Sequence, residues 1–447
     1  MKKKKTLVIG LGISGFAAAK FLLARGVPVV CVDSNDNETL RSRARTLEEH
    51  GAEVQLGVSD PTTRSAEQVV VSPGVPSRIL KTFIDRKIPV YGELEIGCRE
   101  VSSPIIAVTG TNGKSTVVET INAGLNQAGK KSFALGNLGT PVTEWVDSKQ
   151  DADYLTLEVS SYQLETIEKF HPSVAVVLNI APDHLSWHGS MESYLKAKSK
   201  VTQNQTIEDA LLLHKDLSVY PILQKTRGRL YWFGRDLDPS RDGLSLAGDL
   251  LEWRGAGPHW KSQVKVDHLF PHEVENLLGA VSVLLLLGIE PDQAITLFEH
   301  PLRLPHRIEE VGVHRGVRYL NDSKSTNCHS AIAALKAVPT DSIWLVGGQG
   351  KGEDLSELAH IARDHEVRLA ICFGRDGEIF SAGLDPEIQT RIVPTMREAF
   401  DLAAAESRDG DTVLLSPAAA SFDEFQSFED RGEHFRKWVN DLKGKES

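Results

Sequence analysis

Val108-Thr-Gly-Thr-Asn-Gly-Lys-Ser-Thr116 is the stretch on which the reading of this chain turns. The segment before it, PIIAVTG (104–110), predicts a short apolar strand, and STVVETINAGLNQAGK (115–130) predicts a helix. A strand, a glycine turn ending in Lys-Ser, and a helix turn backbone N–H groups and a helix N-terminus toward an anion. That arrangement cradles nucleotide phosphates. Gly110, Thr111, Asn112 and Gly113 form the turn, Lys114 reaches the β- and γ-phosphates, and Ser115 or Thr116 offers a hydroxyl to Mg²⁺. The turn is shorter than G-x-x-x-x-G-K-[ST], whose first glycine would fall on Val108.

The rest of the chain suits a soluble, multidomain enzyme. Its 447 residues imply about two to four domains. With 41% hydrophobic and 25% charged residues it has the composition of globular protein. A formal net charge of −11 argues against general binding of nucleic acid or anionic membranes. The four cysteines, Cys31, Cys98, Cys328 and Cys372, form no C-x-x-C pair and read as reduced thiols of a cytoplasmic protein. MKKKK followed by TLVIGLGISGFAAA imitates an export signal, yet Gly10, Gly12 and Gly15 interrupt the apolar run at a meaningful spacing.

Residues 1–92 alternate strand and helix. Gly10-x-Gly12-x-x-Gly15 lies between a predicted strand, KKTLVIG, and a predicted helix, SGFAAAKFLLARG. VPVVCVDS predicts the next strand, and Asp33 at its end stands about 20 residues on, as a dinucleotide fingerprint expects. Taken alone, this motif points to NAD or FAD. In residues 93–300, YLTLEVSS and SVAVVLNIAPDH predict strands ending in Glu158 and Asp183-His184, where ligands of open α/β sheets sit. ESYLKAKSKV predicts a lysine-rich helix, and HEVENLLGAVSVLLLLG an apolar one. RLYWFG, SLAGDLLEWRG and SQVKVDHLF each predict a short edge strand. Pro301 and Pro305 mark a linker into residues 301–447, where VRYLNDS, SIWLVGG, RLAICFG, RIVPT and DTVLLSPA restore the α/β rhythm. The expected architecture is three α/β domains: a Rossmann-like first domain, a central P-loop domain with a mainly parallel sheet, and a Rossmann-like third.

GTNGKST, LEVSSYQLE, NIAPDH, PHR, NDSKSTN, GGQGK and SPAAASFDEFQSFEDRGEHF recur along this order, and together they resemble the Mur ligase family of ATP-dependent amino-acid ligases. The resemblance covers all three domains. It implies a cytoplasmic enzyme of peptidoglycan precursor synthesis, and the C-terminal runs look closest to the member that adds D-glutamate. ATP would phosphorylate the carboxylate of UDP-N-acetylmuramoyl-L-alanine, and the amine of D-glutamate would attack the acyl phosphate. A monomer with no nucleic-acid or membrane partner is expected.

By the same resemblance, Ser115 and Glu158 hold one Mg²⁺, while His184 and a carbamylated Lys198 hold a second. An ammonium has no acceptor, so Lys198 can ligate metal only as a carbamate. Spacing alone does not choose among Lys196, Lys198 and Lys200; the family pattern selects Lys198. Asn276, Arg307 and Asp322 match nucleotide-contacting positions, and Lys324 lies by the reacting phosphate. His306 orients substrate, and Thr326, Lys351, Ser421, Phe422 and Phe428 match the D-glutamate pocket. In the first domain the fingerprint changes meaning and grips UDP: Gly12, Ile13 and Ser14 lie by the diphosphate, and Asp33 and Ser34 by the uracil. Ser72, Pro73, Gly74 and Asn137 help to hold the sugar nucleotide. The chain departs from the family pattern at Ser186, Trp187, Glu273 and Gln349, where Asp, Arg, Asn and Asp are usual.

Overall fold

The computed structural model describes residues 5–137, 139–338 and 340–444. Among the described residues there are three sheets, of five, nine and six strands. The first runs Glu53–Gln55, Val29–Val32, Thr6–Ile9, Gln68–Val71 and Val90–Gly92, and every pairing is parallel. Its three central strands are buried on both faces, as a sheet covered by helices on each side requires.

The nine-stranded sheet places the phosphate loop. Ile105–Thr109 is third from one edge, with Tyr154–Glu158 and Ser132–Gly136 on that side and Val174–Val177, Ala210–His214 and four further strands on the other. The chain therefore winds both ways from Ile105–Thr109, and the crevice at its carboxyl end is a topological switch point. Residues that follow three neighbouring strands converge there. The helix Lys114–Gln127 lays Val117, Val118, Ile121 and Leu125, all fully buried, against a core shared with the apolar helix Pro271–Leu286. Full burial of each such side chain contributes about 1.5–3 kcal/mol.

The far edge of this sheet corrects one expectation. SLAGDLLEWRG forms two antiparallel strands, Gly243–Ala247 and Leu250–Arg254, joined at Gly248-Asp249. Gly248, at φ 57°, supplies the left-handed turn, which a single continuous strand could not contain. Trp260–Gln263 then pairs with Leu250–Arg254.

The third sheet runs Glu309–His314, Val317–Asn321, Thr412–Leu415, Ile343–Gly347, Leu369–Phe373 and Thr390–Val393, antiparallel only at its first pair. The chain folds as two compact units. One comprises residues 1–180, 184–269 and 273–301 and holds the first two sheets; the other comprises 181–183, 270–272 and 302–447. No helix among the described residues is long and apolar enough to cross a membrane.

Candidate active site

The glycines of the phosphate loop are dictated by contact. Gly113, the N-cap of the helix, has φ 82°, and a Cβ there would fall 2.4 Å from Asn276 Oδ1. Asn276 is thereby seated against the loop. Ser115 Oγ donates to Glu158 Oε2 at 2.6 Å, and Asn137 Nδ2 donates to Glu158 Oε1 at 2.7 Å, so one buried carboxylate gathers two of the expected site residues. Glu119, on the same helix, has its carboxyl pushed up by burial first and by the Glu158 charge second. This corner of the site carries the negative potential that favours a cation.

Two ammonium groups meet on the opposite side of the turn. Lys114 Nζ donates to the carbonyls of Thr111 at 2.7 Å and Gly110 at 3.1 Å. Lys198 Nζ donates to the same Gly110 carbonyl at 2.8 Å. Lys198 is only 2% exposed, whereas Lys196 faces solvent and Lys200 donates to the Glu165 carbonyl. The helix Met191–Ser199 sends one of its lysines to the loop and turns Lys196 to solvent. Beside it, Tyr194 OH lies 3.1 Å from Thr111 Oγ1, with Lys198 Nζ 4.7 Å from the Tyr194 ring centre.

His184 takes a left-handed conformation, φ 55°, and starts a one-turn helix, Leu185–His188. Its ring packs on Tyr162 at 4.9 Å. Tyr162 also contacts Trp187 and His188, and His188 contacts Tyr194, so an aromatic chain runs from His184 to the phosphate loop. Gly110, Thr111, Asn112, Gly113, Lys114, Ser115, Asn137, Glu158, Lys198 and Asn276 thus meet directly; His184 joins them through rings. Thr116 is on the same helix turn, half-buried.

Asn179 was missed in the sequence. Its Oδ1 accepts from the amides of Thr111 at 3.1 Å and Asn112 at 2.8 Å, and its Nδ2 donates to the Asn112 carbonyl at 3.0 Å. Asn179 thus ties the phosphate loop to the end of the neighbouring strand. The available signal was an asparagine two residues beyond an apolar strand, in NIAPDH.

In the N-terminal turn, Gly12 and Ile13 are exposed and Ser14 is half-buried, at the start of the helix Ile13–Ala24. Gly15 has no room for a side chain: a Cβ would lie 1.8 Å from the Gly10 carbonyl oxygen and 2.4 Å from Ser72 Oγ. Ser72 Oγ itself donates to that carbonyl at 2.8 Å. Both carboxylate oxygens of Asp33 accept backbone amides, Oδ2 from Leu11 and Oδ1 from Asn35, while Ser34 is exposed. Ser72, Pro73 and Gly74 line a cleft whose other wall carries Tyr162, Gln163 and Trp187.

The second unit gathers another set. Asp322 accepts from Ser416 Oγ at 2.8 Å and from the Ile308 amide at 3.3 Å. Burial pushes its carboxyl up to about 7, against the opposing effects of Ser416 and the Arg307 guanidinium. His306 Nδ1 lies 2.9 Å from Asn321 Nδ2, and burial holds its imidazole below its ordinary value. The Lys324 amide donates to the His306 carbonyl, and Lys324 Nζ stands 3.7 Å over the Phe428 ring. Lys351 Nζ donates to Asp183 Oδ1 at 3.1 Å. Thr326 is half-buried, Ser421 buried and Phe422 69% exposed. Arg431, also missed, is fully buried and donates to Ser323 Oγ and O and to the Ala419 carbonyl at 2.8–3.1 Å. It fastens the helix Phe428–Gly444 to the loop that carries Lys324. Of the departures, Gln349 pairs with Ala420 in a bridge, Glu273 lies on the apolar helix near Asn276, and the Ser186 side chain is outside the described residues.

Three family descriptions match the chain in succession: "Mur ligase MurD-like, N-terminal domain" over residues 4–92, "Mur ligase middle domain" over 108–284, and "Mur ligase, glutamate ligase domain" over 306–419. A UDP-N-acetylmuramoylalanine–D-glutamate ligase from Koribacter versatilis is 34% identical, over 99% of this chain and 98% of its own. Proteins of the same name from Pelotomaculum thermopropionicum and Thermobifida fusca are 36% and 37% identical, each over 99% of this chain and 98% and 100% of their own. Among solved structures, a UDP-N-acetylmuramate–alanine ligase from Thermotoga maritima aligns with TM-score 0.60 at 15% identity, over 98% of this chain and 99% of its own. A pseudomurein peptide ligase type C from Methanothermus fervidus aligns with TM-score 0.59 at 17% identity, over 98% and 100%. These two likenesses are of fold.

Proposed function

The chain belongs to the Mur ligase family, and from that premise we propose that it joins D-glutamate to UDP-N-acetylmuramoyl-L-alanine, consuming ATP, in peptidoglycan precursor synthesis. ATP and Mg²⁺ are the family's requirements. The γ-phosphoryl group passes to the substrate carboxylate: a carboxylate oxygen–phosphorus bond forms and the bond to ADP breaks. The D-glutamate nitrogen then bonds to the acyl carbon, the carbon–oxygen bond to phosphate breaks, and the amine gives up its proton. Such chemistry is governed by position and charge.

The observation that carries this reading is the convergence of Lys114 and Lys198 on the Gly110 carbonyl, beside Ser115 paired with Glu158. Ser115 and Glu158 are hard oxygen donors suited to Mg²⁺, which takes one or two protein oxygens and completes its shell with phosphate and water. His184 and a carbamylated Lys198 would hold the second ion. Metal held by these residues would neutralise charge on the phosphoryl oxygens. Two ammonium groups on one carbonyl repel each other, and carbamylation of Lys198 exchanges one positive charge for a negative one. In that step the neutral amine adds to CO₂, a nitrogen–carbon bond forms, and a proton leaves.

In this assignment residues 1–92 bind the UDP-sugar, 93–300 bind ATP, and 301–447 bind the amino acid. Gly12, Ile13, Ser14, Asp33 and Ser34 serve the uridine diphosphate, and Ser72, Pro73, Gly74 and Asn137 help to hold the sugar nucleotide. Arg307 and Asp322 serve the nucleotide with Asn276, and Lys324 the reacting phosphate. His306 orients substrate; Thr326, Lys351, Ser421 and Phe422 serve the amino acid, with Phe428 packing nearby. The protein acts as a cytoplasmic monomer.

The test is phosphate release with ATP, Mg²⁺ and UDP-N-acetylmuramoyl-L-alanine across a panel of D- and L-amino acids. Release that requires D-glutamate, with a ligated product of matching mass, is expected. Release with a different amino acid moves the chain to a sister ligase; silence from folded, ATP-binding protein overturns the reading. For Lys198, replacement by Ala should be partly rescued by short carboxylates, and native protein should show a mass increase of one CO₂ on that lysine.

A further inference from the structure

His188, the last residue of the one-turn helix Leu185–His188, has a fully buried imidazole that takes no part in the chemistry above. Both of its nitrogens face polar groups. Nε2 lies 3.0 Å from Ser161 Oγ, and Nδ1 stands 3.1 Å from Glu165 Oε1. The carboxylate is held in turn, since its other oxygen accepts from Trp187 Nε1 at 3.2 Å. A proton on Nδ1 faces the carboxylate and leaves Nε2 to accept from the Ser161 hydroxyl. Ser161, His188 and Glu165 thus stand in the order of a hydrolase triad. Ser161 is only 2% exposed, however, so no substrate reaches its hydroxyl. The use of the group lies in position.

Three chain segments meet on this ring, and each carries one of the expected metal ligands. Ser161 and Glu165 belong to the helix Ser161–Glu165, which begins three residues after Glu158, and Tyr162 of that helix stacks on the imidazole at 5.7 Å. The His188 amide donates to the His184 carbonyl at 3.0 Å. Tyr194, four residues before Lys198 on the helix Met191–Ser199, has its ring centre 5.2 Å from that of His188. The Tyr194 hydroxyl then reaches Thr111 of the phosphate loop. Apolar packing would hold these segments together but leave their rotation loose, whereas polar contacts at both nitrogens are directional. We propose that His188 is a positioning residue, which fixes Glu158, His184 and Lys198 relative to one another for divalent cations and acts through their segments. This rests on the cation reading above and extends it to a residue beyond the ligands.

The test is Mn²⁺ titration, followed by electron paramagnetic resonance with a non-hydrolysable ATP analogue present, of native protein, His188→Phe and Ser161→Ala. Phe keeps a ring against Tyr162 and Tyr194 and removes both polar contacts; Ser161→Ala removes one hydroxyl and leaves the imidazole. Expected is a loss of at least about tenfold in Mn²⁺ affinity in His188→Phe and of about fivefold in Ser161→Ala. UDP affinity, read by calorimetry, should be unchanged in both. In turnover, kcat should fall with KM for D-glutamate unmoved. Native-like Mn²⁺ affinity in folded His188→Phe overturns the proposal; where that variant does not fold, native-like affinity in Ser161→Ala does so. Equal losses for Mn²⁺ and UDP also overturn it, because they mark a general loss of structure. Native protein that binds no Mn²⁺ beside the nucleotide analogue brings down the cation reading itself.

Discussion

The molecule contains two strand–glycine turn–helix units that differ by little in sequence and by much in chemistry. Each helix starts behind a glycine N-cap, Gly12 in one and Gly113 in the other, and each has serine as its second residue, Ser14 and Ser115. The first residue differs: Ile13, 65% exposed, against Lys114, turned back onto loop carbonyls. The supports differ too. Behind the N-terminal turn, Asp33 and Ser72 bind backbone groups and serve to close the turn itself. Behind the phosphate loop, Asn179 does the closing, which leaves Ser115 and Glu158 paired at the site. A glycine pattern therefore specifies a backbone shape. The groups placed around that shape specify what it binds.

The comparison breaks most easily at its charged member. Lys114→Ala should lower D-glutamate-dependent phosphate release on the order of a thousandfold while the UDP-sugar still binds; near-normal turnover would erase the distinction between the two turns. Gly15→Ala is the counterpart in the first turn. A Cβ there would stand 1.8 Å from the Gly10 carbonyl oxygen, which is backbone and cannot swing aside, so thermal unfolding should show a loss on the order of 3 kcal/mol. ATP affinity should be spared if the two turns act independently.

Asn179→Ala sharpens the contrast in the other direction. With the amide and carbonyl of Asn112 stripped of their side-chain partner, KM for ATP should rise roughly tenfold, as a loss of about 1–3 kcal/mol implies, with KM for the UDP-sugar unchanged. Asp33→Asn should have the smallest effect. An amide can accept the Leu11 amide but presents a donor where Asn35 needs an acceptor, so about 1 kcal/mol of stability should go, read by denaturant unfolding. A large loss of UDP affinity without loss of stability would separate the part Asp33 takes in holding uridine from its part in closing the turn.

The sequence made the phosphate loop, the strand-end acids and the α/β rhythm legible because each is local: a turn, a strand and a helix within a few residues. Lys198 was legible only through the family pattern, since the alternating lysines of YLKAKSKV read alike until the helix is set against the loop. Asn179 and Arg431 were illegible for a different reason. Their partners lie 67 and 108 residues away, and nothing in their neighbours' polarity marks them as internal. The hairpin Gly243–Arg254 was read as one strand although Gly248-Asp249 carried a turn signal, because the apolar residues on either side continue without a break.

Arg431 has a consequence for how the second unit is made. The loop 322–324 is synthesised long before the helix Phe428–Gly444, yet Ser323 finds its partner only in that helix. A contact closed across so much chain is entropically slow to form. During translation the loop that carries Lys324 must wait, with its polar groups solvated, until the guanidinium emerges and threads in. A nascent chain stalled before residue 431 should have the third sheet's strands but no ordered Lys324 loop, and protease should cut there first. The part of this unit that carries Lys324 is then the last to become native, whatever its place in the reading order.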